Sequence, residues 1–172
     1  MNNAPYSKRY VKKLLMMCAF GSSLAELSTC KRAQTACVLF SLHCTNVWSI
    51  GYNGPARGLP NDACTEVEGD CGCVHAEANA IAKLYERENY IAYASTMPCQ
   101  HCASLLVNTG RCAGLIYDVL YRDAKGLQVM QDSRIRFVER QVLSMLLIGK
   151  GACALGEFDE AEHTVSEWQS QR

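Results

Sequence analysis

The sequence predicts an α/β protein, a three-layer α/β/α sandwich. Three observations carry this. Ala36–Ser41 and Val47–Tyr52 are short apolar, partly β-branched runs on either side of the polar segment His43–Asn46, the pattern of a hairpin. From His75 onward, stretches with apolar residues at helical spacing alternate with short strand-like runs. The 172 residues, 49% of them hydrophobic and 20% charged, are enough for one domain, residues 1–172, with a sizeable core.

The elements follow in order. Ser7–Glu26 puts Tyr10, Leu14, Met17, Cys18 and Leu24 at helical spacing and predicts a first helix. Lys12 and Lys13 interrupt its apolar run and no small-residue cleavage pattern follows, so it reads as an amphipathic helix rather than a signal peptide. No stretch is long and apolar enough to span a bilayer, and the expected location is the cytoplasm, the host's if the protein is viral. Asn53–Gly72 is rich in Gly, Pro, Asn and Asp, and its length implies a functional or metal-organised loop. His75–Arg87 predicts a helix through Ala76, Ala80, Ile81 and Leu84, and Ile91–Thr96 a strand. Pro98 opens a helix through Asn108, with Gly110 just past its end. Leu115–Leu120 and Ile135–Val138 predict strands, Asp123–Gln131 and Gln141–Ile148 helices. The ordered core is expected over residues 6–150, and the acidic, polar tail from Glu157 is expected to be poorly ordered.

Charge and cysteine content narrow the function. Seventeen basic residues balance seventeen acidic ones, so composition gives no support for gripping a nucleic-acid backbone, although one or two cations could hold a small nucleotide. Eleven cysteines, an odd number, argue against a disulfide framework and for metal ligation. Cys64, Cys71, Cys73, Cys99 and Cys102 cluster in sequence, whereas Cys18, Cys37, Cys44, Cys112 and Cys153 are scattered and read as small buried apolar residues.

The chemistry concentrates in His75-Ala76-Glu77 and Pro98-Cys99-Gln100-His101-Cys102. A catalytic zinc needs three protein ligands and an open position for water; His75, Cys99 and Cys102 supply an imidazole and two thiolates. Cysteines three apart on a first helical turn face one side, near the positive end of the helix dipole, which favours thiolate. Two helix N-termini converging on a cation repel it, and the two thiolate charges compensate. Glu77 falls near the open position, where a proton carrier is required. The H-x-E…P-C-x-x-C pattern resembles the signature of zinc-dependent deaminases, in which an activated water attacks C4 of a pyrimidine or C6 of a purine while the glutamate, here Glu77, moves the protons. A structural zinc knot or a redox CxxC is the plainer reading of the cysteines alone.

Four further segments resemble deoxycytidylate (dCMP) deaminases of the zinc-dependent cytidine/deoxycytidylate deaminase family: Ser28–Gln34, Gly51–Gly58, Val74–Ile81 and Tyr121–Leu127. The likeness runs from about Tyr6 to Val138. It implies the cytidine-deaminase fold, a five-stranded mixed sheet flanked by helices, and hydrolysis of dCMP to dUMP and ammonia, which supplies dUMP for thymidylate synthesis. It also implies substrate roles: Asn53 at the sugar–phosphate, Tyr121 over the base, and Asn79 orienting the deoxyribose end or the site loops. Arg57 is the candidate for the phosphate, since a guanidinium suits bidentate contact; Lys31 and Arg32 are either further phosphate contacts or solvated surface. Met97 stands where the family usually has a serine bordering the substrate amine. Activation by dCTP, inhibition by dTTP, an effector site around Lys83–Arg87 and a homohexamer are further implications of the likeness. So is a second, structural zinc, with Cys30, Cys64 and Cys73 at the family's ligand positions and Cys71 completing four thiolates. The competing readings are a zinc deaminase of dCTP, a 5-substituted dCMP, cytosine, cytidine, guanine or tRNA adenosine, and a non-catalytic nucleotide-sensing protein. Neutral charge speaks against tRNA, and retention of Glu77 against a pure binder.

Overall fold

A computed structural model describes residues 6–149 and 155–171; Cys153 lies outside the described residues. Strands β1 (Ala36–Ser41) and β2 (Val47–Tyr52) form the expected antiparallel hairpin, with Val38 opposite Ile50 and one irregularity between Leu39 and Phe40. Strand β3 (Tyr90–Thr96) lies antiparallel to the other edge of β1. Strands β4 (Cys112–Val119) and β5 (Arg136–Glu139) then add in parallel, giving one five-stranded mixed sheet in the order β2-β1-β3-β4-β5. Every residue of β1 is buried, as expected for a strand covered on both faces.

Two helical layers cover the sheet. On one face lie α1 (Lys8–Leu24), α5 (Arg140–Met145) and α6 (Leu155–Ser170), which bury Val11, Leu14 and Cys18, Leu143, and Val165 and Trp168 against Val38, Phe40, Tyr93 and Ile116. On the other lie α2 (Ala76–Ile81), α3 (Gln100–Asn108) and α4 (Lys125–Asp132), packed through Ala76, Ala80, Ala103, Leu106 and Met130 against Cys37, Leu39, Ala92 and Leu115. This is the predicted α/β/α sandwich. The small residues of α2 let its backbone lie directly on β2: a Cβ at Gly51 would overlap the Ala76 carbonyl, so that position accepts no side chain.

Two elements depart from expectation. The helix after His75 stops at Ile81 rather than Arg87. Lys83 and Leu84 donate to Ala80 and Ile81, the i→i+3 bonds of a tightening last turn, and Tyr85 is 91% exposed, so no buried stripe continues the helix. Lys83–Arg87 is therefore turn and irregular chain. The tail from Glu157, expected to be poorly ordered, belongs to α6. Ala161, Thr164, Val165 and Trp168, spaced i, i+3, i+4, i+7, are all buried and form one face, while the acidic residues Glu157, Asp159 and Glu160 are exposed. Trp168 Nε1 donates to the Ala113 carbonyl at 3.1 Å, and a Cβ at Gly114 would overlap its indole. Among the described residues no helix is long and apolar enough to cross a membrane.

Trp168→Ala leaves a large cavity on the α6 face. It is expected to lower the unfolding free energy by about 3–5 kcal/mol, measured by urea denaturation.

Candidate active site

The two motif segments meet at the carboxyl end of β3. His75 is the N-cap of α2 and Cys99 the N-cap of α3, both with extended backbone, and Cys102 lies in the first turn of α3. His75 Nδ1 lies 3.5 Å from Cys99 Sγ and 3.4 Å from Cys102 Sγ, and the three donor atoms all fall within 4.8 Å of one another. A tetrahedral zinc, with bonds of about 2.3 Å to sulfur and about 2.05 Å to nitrogen, would set its sulfur and nitrogen ligands about 3.6 Å apart. The donor set and its spacing fit that ion, with a fourth position left for a non-protein ligand.

The electrostatics follow from crowding. Hydrogen bonds from the Cys102 thiol and from His75 hold Cys99 down to about 3, so Cys99 carries the first thiolate. Cys102, hydrogen-bonded to that thiolate, buried and beside Glu77, is held far above the ordinary thiol range. His75 is raised, chiefly by its hydrogen bond to Cys99. A dication held by the three groups would favour the thiolate form of both cysteines. Glu77, in the first turn of α2, is buried, and desolvation raises its carboxyl above the ordinary value.

A cavity of about 350 Å³ opens over this trio, a size suited to a small ligand. His75, Glu77, Met97 and Cys99 line it, together with Ala36 and Thr96. Tyr121 lines it as well, with the Arg122 guanidinium 5.3 Å from its ring centroid. Asn53 lines it too, but its amide is engaged: Oδ1 accepts from Ser28 Oγ at 2.6 Å and Thr35 N at 2.8 Å, and Nδ2 donates to the Ala33 carbonyl at 2.7 Å. In this structure Asn53 holds the segment before β1 against the start of the long loop.

Two expected substrate residues lie elsewhere. Arg57 is exposed and does not line the cavity. Asn79, outside the lining as well, donates from Nδ2 to the Tyr52 carbonyl at 2.9 Å and ties α2 to the end of β2. Lys31 pairs with Glu66 at 3.3 Å outside the cavity. The cations that do line it are Arg32 and Arg122. Sequence reasoning passed over Arg122, although it follows Tyr121 directly within one of the motif segments.

Beside this cavity the sulfurs of Cys30, Cys64, Cys71 and Cys73 lie within 4.8 Å of one another, Cys30 and Cys64 at 3.9 Å. Ideal tetrahedral thiolates around zinc would sit about 3.8 Å apart. Backbone N–H groups of Glu66 and Lys31 bring Cys64 down to about 7, while burial and the neighbouring thiols raise Cys73. Cys71 and Cys73 also line the cavity, so the two sulfur-rich groups are adjacent.

An imidazole-and-two-thiol trio at a strand's carboxyl end, under a flanked mixed sheet, is the arrangement of a zinc deaminase. Residues 10–117, well over half of the chain, match the family described as the cytidine and deoxycytidylate deaminase zinc-binding region, and the chain belongs to that family. Similar solved structures include dCMP deaminase of cyanophage S-TIM5 in complex with dCMP and dUMP, at 21% identity and a TM-score of 0.67 over 74% of this chain and 96% of that one. The same phage enzyme in apo form matches at 19% identity and a TM-score of 0.60, over 77% of this chain and 98% of that one. A diaminohydroxyphosphoribosylaminopyrimidine deaminase/reductase from Thermotoga maritima matches at 15% identity and a TM-score of 0.58, over 80% of this chain but 39% of that one. At these identities the likeness is one of fold, the cytidine-deaminase fold. No curated protein sequence matches the chain significantly.

Gly126 of α4 lies against the turn that carries Cys99, and a Cβ there would overlap the Pro98 carbonyl. Gly126→Ala is expected to displace that turn and weaken zinc retention by about ten-fold or more, read by competition with a chromogenic chelator.

Proposed function

We propose that this protein hydrolyses the exocyclic amine of dCMP to give dUMP and ammonia. The observation that carries the reading is Glu77, a buried carboxyl whose proton affinity is raised, lining the same cavity as His75 and Cys99. His75, Cys99 and Cys102 would hold zinc, which when bound supplies Lewis-acid activation of a water molecule. Glu77 takes a proton from that water as the oxygen adds to C4 of the cytosine. It passes that proton to ring N3, then takes the remaining proton of the added hydroxyl as the C4 carbonyl forms and delivers it to the amine, whose bond to C4 breaks to release ammonia. Its burial beside His75 and Cys102 places one carboxylate where it can accept and then donate a proton within the cavity. Tyr121 closes over the base, and Met97, buried against the cavity, offers no side-chain hydrogen bond and leaves backbone groups to meet the amine.

Support for a nucleotide comes from the cations that line the cavity and from the phage relative, which was solved with dCMP and dUMP. Cys30, Cys64, Cys71 and Cys73 are proposed to hold a second, structural zinc, which would order the long loop. The same proposal covers a homohexamer answering to dCTP and dTTP, formation of dUMP for thymidylate synthesis, and action in the cytoplasm.

A panel of dCMP, dCTP, deoxycytidine, cytidine, CMP, cytosine, guanine and a tRNA anticodon loop, scored for ammonia release, tests the substrate. Turnover confined to deoxycytidine nucleotides is expected; turnover of a free base or nucleoside with dCMP untouched would overturn the assignment. Glu77→Ala is expected to retain zinc and to lose about 10³-fold or more in kcat, and normal turnover by it would remove the mechanism. Cys64→Ser is expected to lower bound zinc from about two ions per chain to about one, read by metal analysis.

A further inference from the structure

The cavity lining holds an arrangement that the deamination chemistry leaves unused. Arg32 and Arg122 line the cavity, and so does Glu68, among the described residues the one other charged side chain there besides His75 and Glu77. Glu68 reaches both guanidinium groups: Oε1 lies 2.5 Å from Arg122 Nη1, and Oε2 lies 4.0 Å from Arg32 Nη2. The two arginines come from different segments, Arg32 from the one before β1 and Arg122 from the turn after β4. Glu68 comes from neither, but from the long loop.

Its position is fixed by a cross-linked turn. Thr65 N donates to the Cys71 carbonyl at 3.2 Å, Thr65 Oγ1 donates to the Asp70 carbonyl at 2.8 Å, and Asp70 N donates to the Val67 carbonyl at 3.2 Å. The turn thus closes between Cys64 and Cys71, two members of the four-sulfur group, and presents Glu68 at its tip. Arg122 is held as well, over the Tyr121 ring. A carboxylate paired with two guanidinium groups, in the same cavity that His75 and Cys99 line, mimics a bound anion.

We infer that Arg122 and Arg32 form the subsite for the phosphate monoester of the substrate, and that Glu68 occupies that subsite as a built-in competitor. The inference rests on the reading of this cavity as a nucleotide site. A phosphate monoester brings nearly two negative charges and three acceptor oxygens to two forked donors, and so outcompetes one carboxylate. The Glu68 side chain is 69% exposed and that of Arg122 47%, so the ion pair is weak and readily exchanged. An uncharged nucleoside gains nothing from displacing Glu68. The device therefore sets the preference for nucleotide over nucleoside from both directions, by attraction and by occupancy.

The test uses the full-length, zinc-loaded protein, with dissociation constants for dCMP and deoxycytidine measured by calorimetry and KM and kcat by ammonia release. Arg122→Gln is expected to weaken dCMP binding by about ten-fold, the worth of one charge-assisted hydrogen bond, and deoxycytidine binding by much less. Arg122→Lys is expected to restore part of that loss. Glu68→Gln is expected to tighten dCMP by about three-fold, without effect on deoxycytidine. Glu68→Gln that leaves dCMP binding unchanged or weaker, or Arg122→Gln that weakens both ligands equally, would overturn the inference. The outcomes separate the two readings. If dCMP binds with these differences but releases no ammonia, the reaction proposed above fails and the subsite stands. If wild type deaminates dCMP and Arg122→Gln does so at the same KM, the subsite fails and the reaction stands.

Discussion

The site depends on a single electrostatic demand: one imidazole and two thiols held within 4.8 Å at the start of two helices. Helix N-termini already carry partial positive charge, so a cation there is tolerable only with two sulfur anions beside it. Of the two sulfurs, Cys99 is held as an anion by Cys102 and His75, and the second, Cys102, is the one that a cation would bring to the same state. The surrounding structure keeps these groups from moving apart. Gly51 lets α2 lie on β2, and Gly126 lets α4 press on the turn that carries Cys99. Both are close backbone approaches that even a methyl group would prevent. The parallel pair β3 and β4 brings the segments after both strands to the same edge of the sheet, Pro98–Cys99 from one and Tyr121–Arg122 from the other. The crevice at the carboxyl ends of parallel strands is where open α/β sheets generally bind ligands.

The long loop between β2 and α2 plays a second organising part. Apart from the isolated pairing of Gly54 with Val74 it forms no regular structure, yet it carries Cys64, Cys71 and Cys73 and the acid nearest the cationic rim. Its order comes from side chains and sulfur rather than from ladders of backbone bonds. The Asn53 amide, bonded to Ser28, Ala33 and Thr35, anchors the loop's start to the segment before β1, which contributes Cys30 to the same sulfur group.

Much of this was legible in the sequence, and what was missed has physical causes. The hairpin boundaries follow from local signals, short β-branched runs around a polar turn, whereas the grouping of His75, Cys99 and Cys102 was legible through a motif that resembles the zinc-deaminase signature. The four-sulfur group was legible through likeness to relatives, since nothing local brings Cys30 to Cys73. The helix after His75 was drawn too long because apolar spacing to Leu84 does not reveal that Tyr85 faces solvent. The tail was misjudged on its acidic composition, although the stripe Ala161, Thr164, Val165, Trp168 was present in the sequence. The Asn53 and Asn79 side chains both turn out to bond backbone carbonyls, a use that residue type alone does not distinguish from ligand binding. Arg122 gives no periodic signal, and only its place after β4 brings it to the cavity.

The two ends of the described chain meet on the face opposite the site: Tyr6 OH donates to the Leu146 carbonyl at 2.9 Å, and Ser7 N donates to Gln169 Oε1 at 2.8 Å. This has a consequence for biosynthesis. A ribosome delivers the chain in order, so the layer of α2, α3 and α4 has fully emerged while the opposite layer still lacks its last helix. Until Trp168 arrives, the surface around Gly114 that it fills stays bare. A nascent chain with its catalytic half assembled therefore exposes an apolar surface on its other side, the kind of intermediate that chaperones shield.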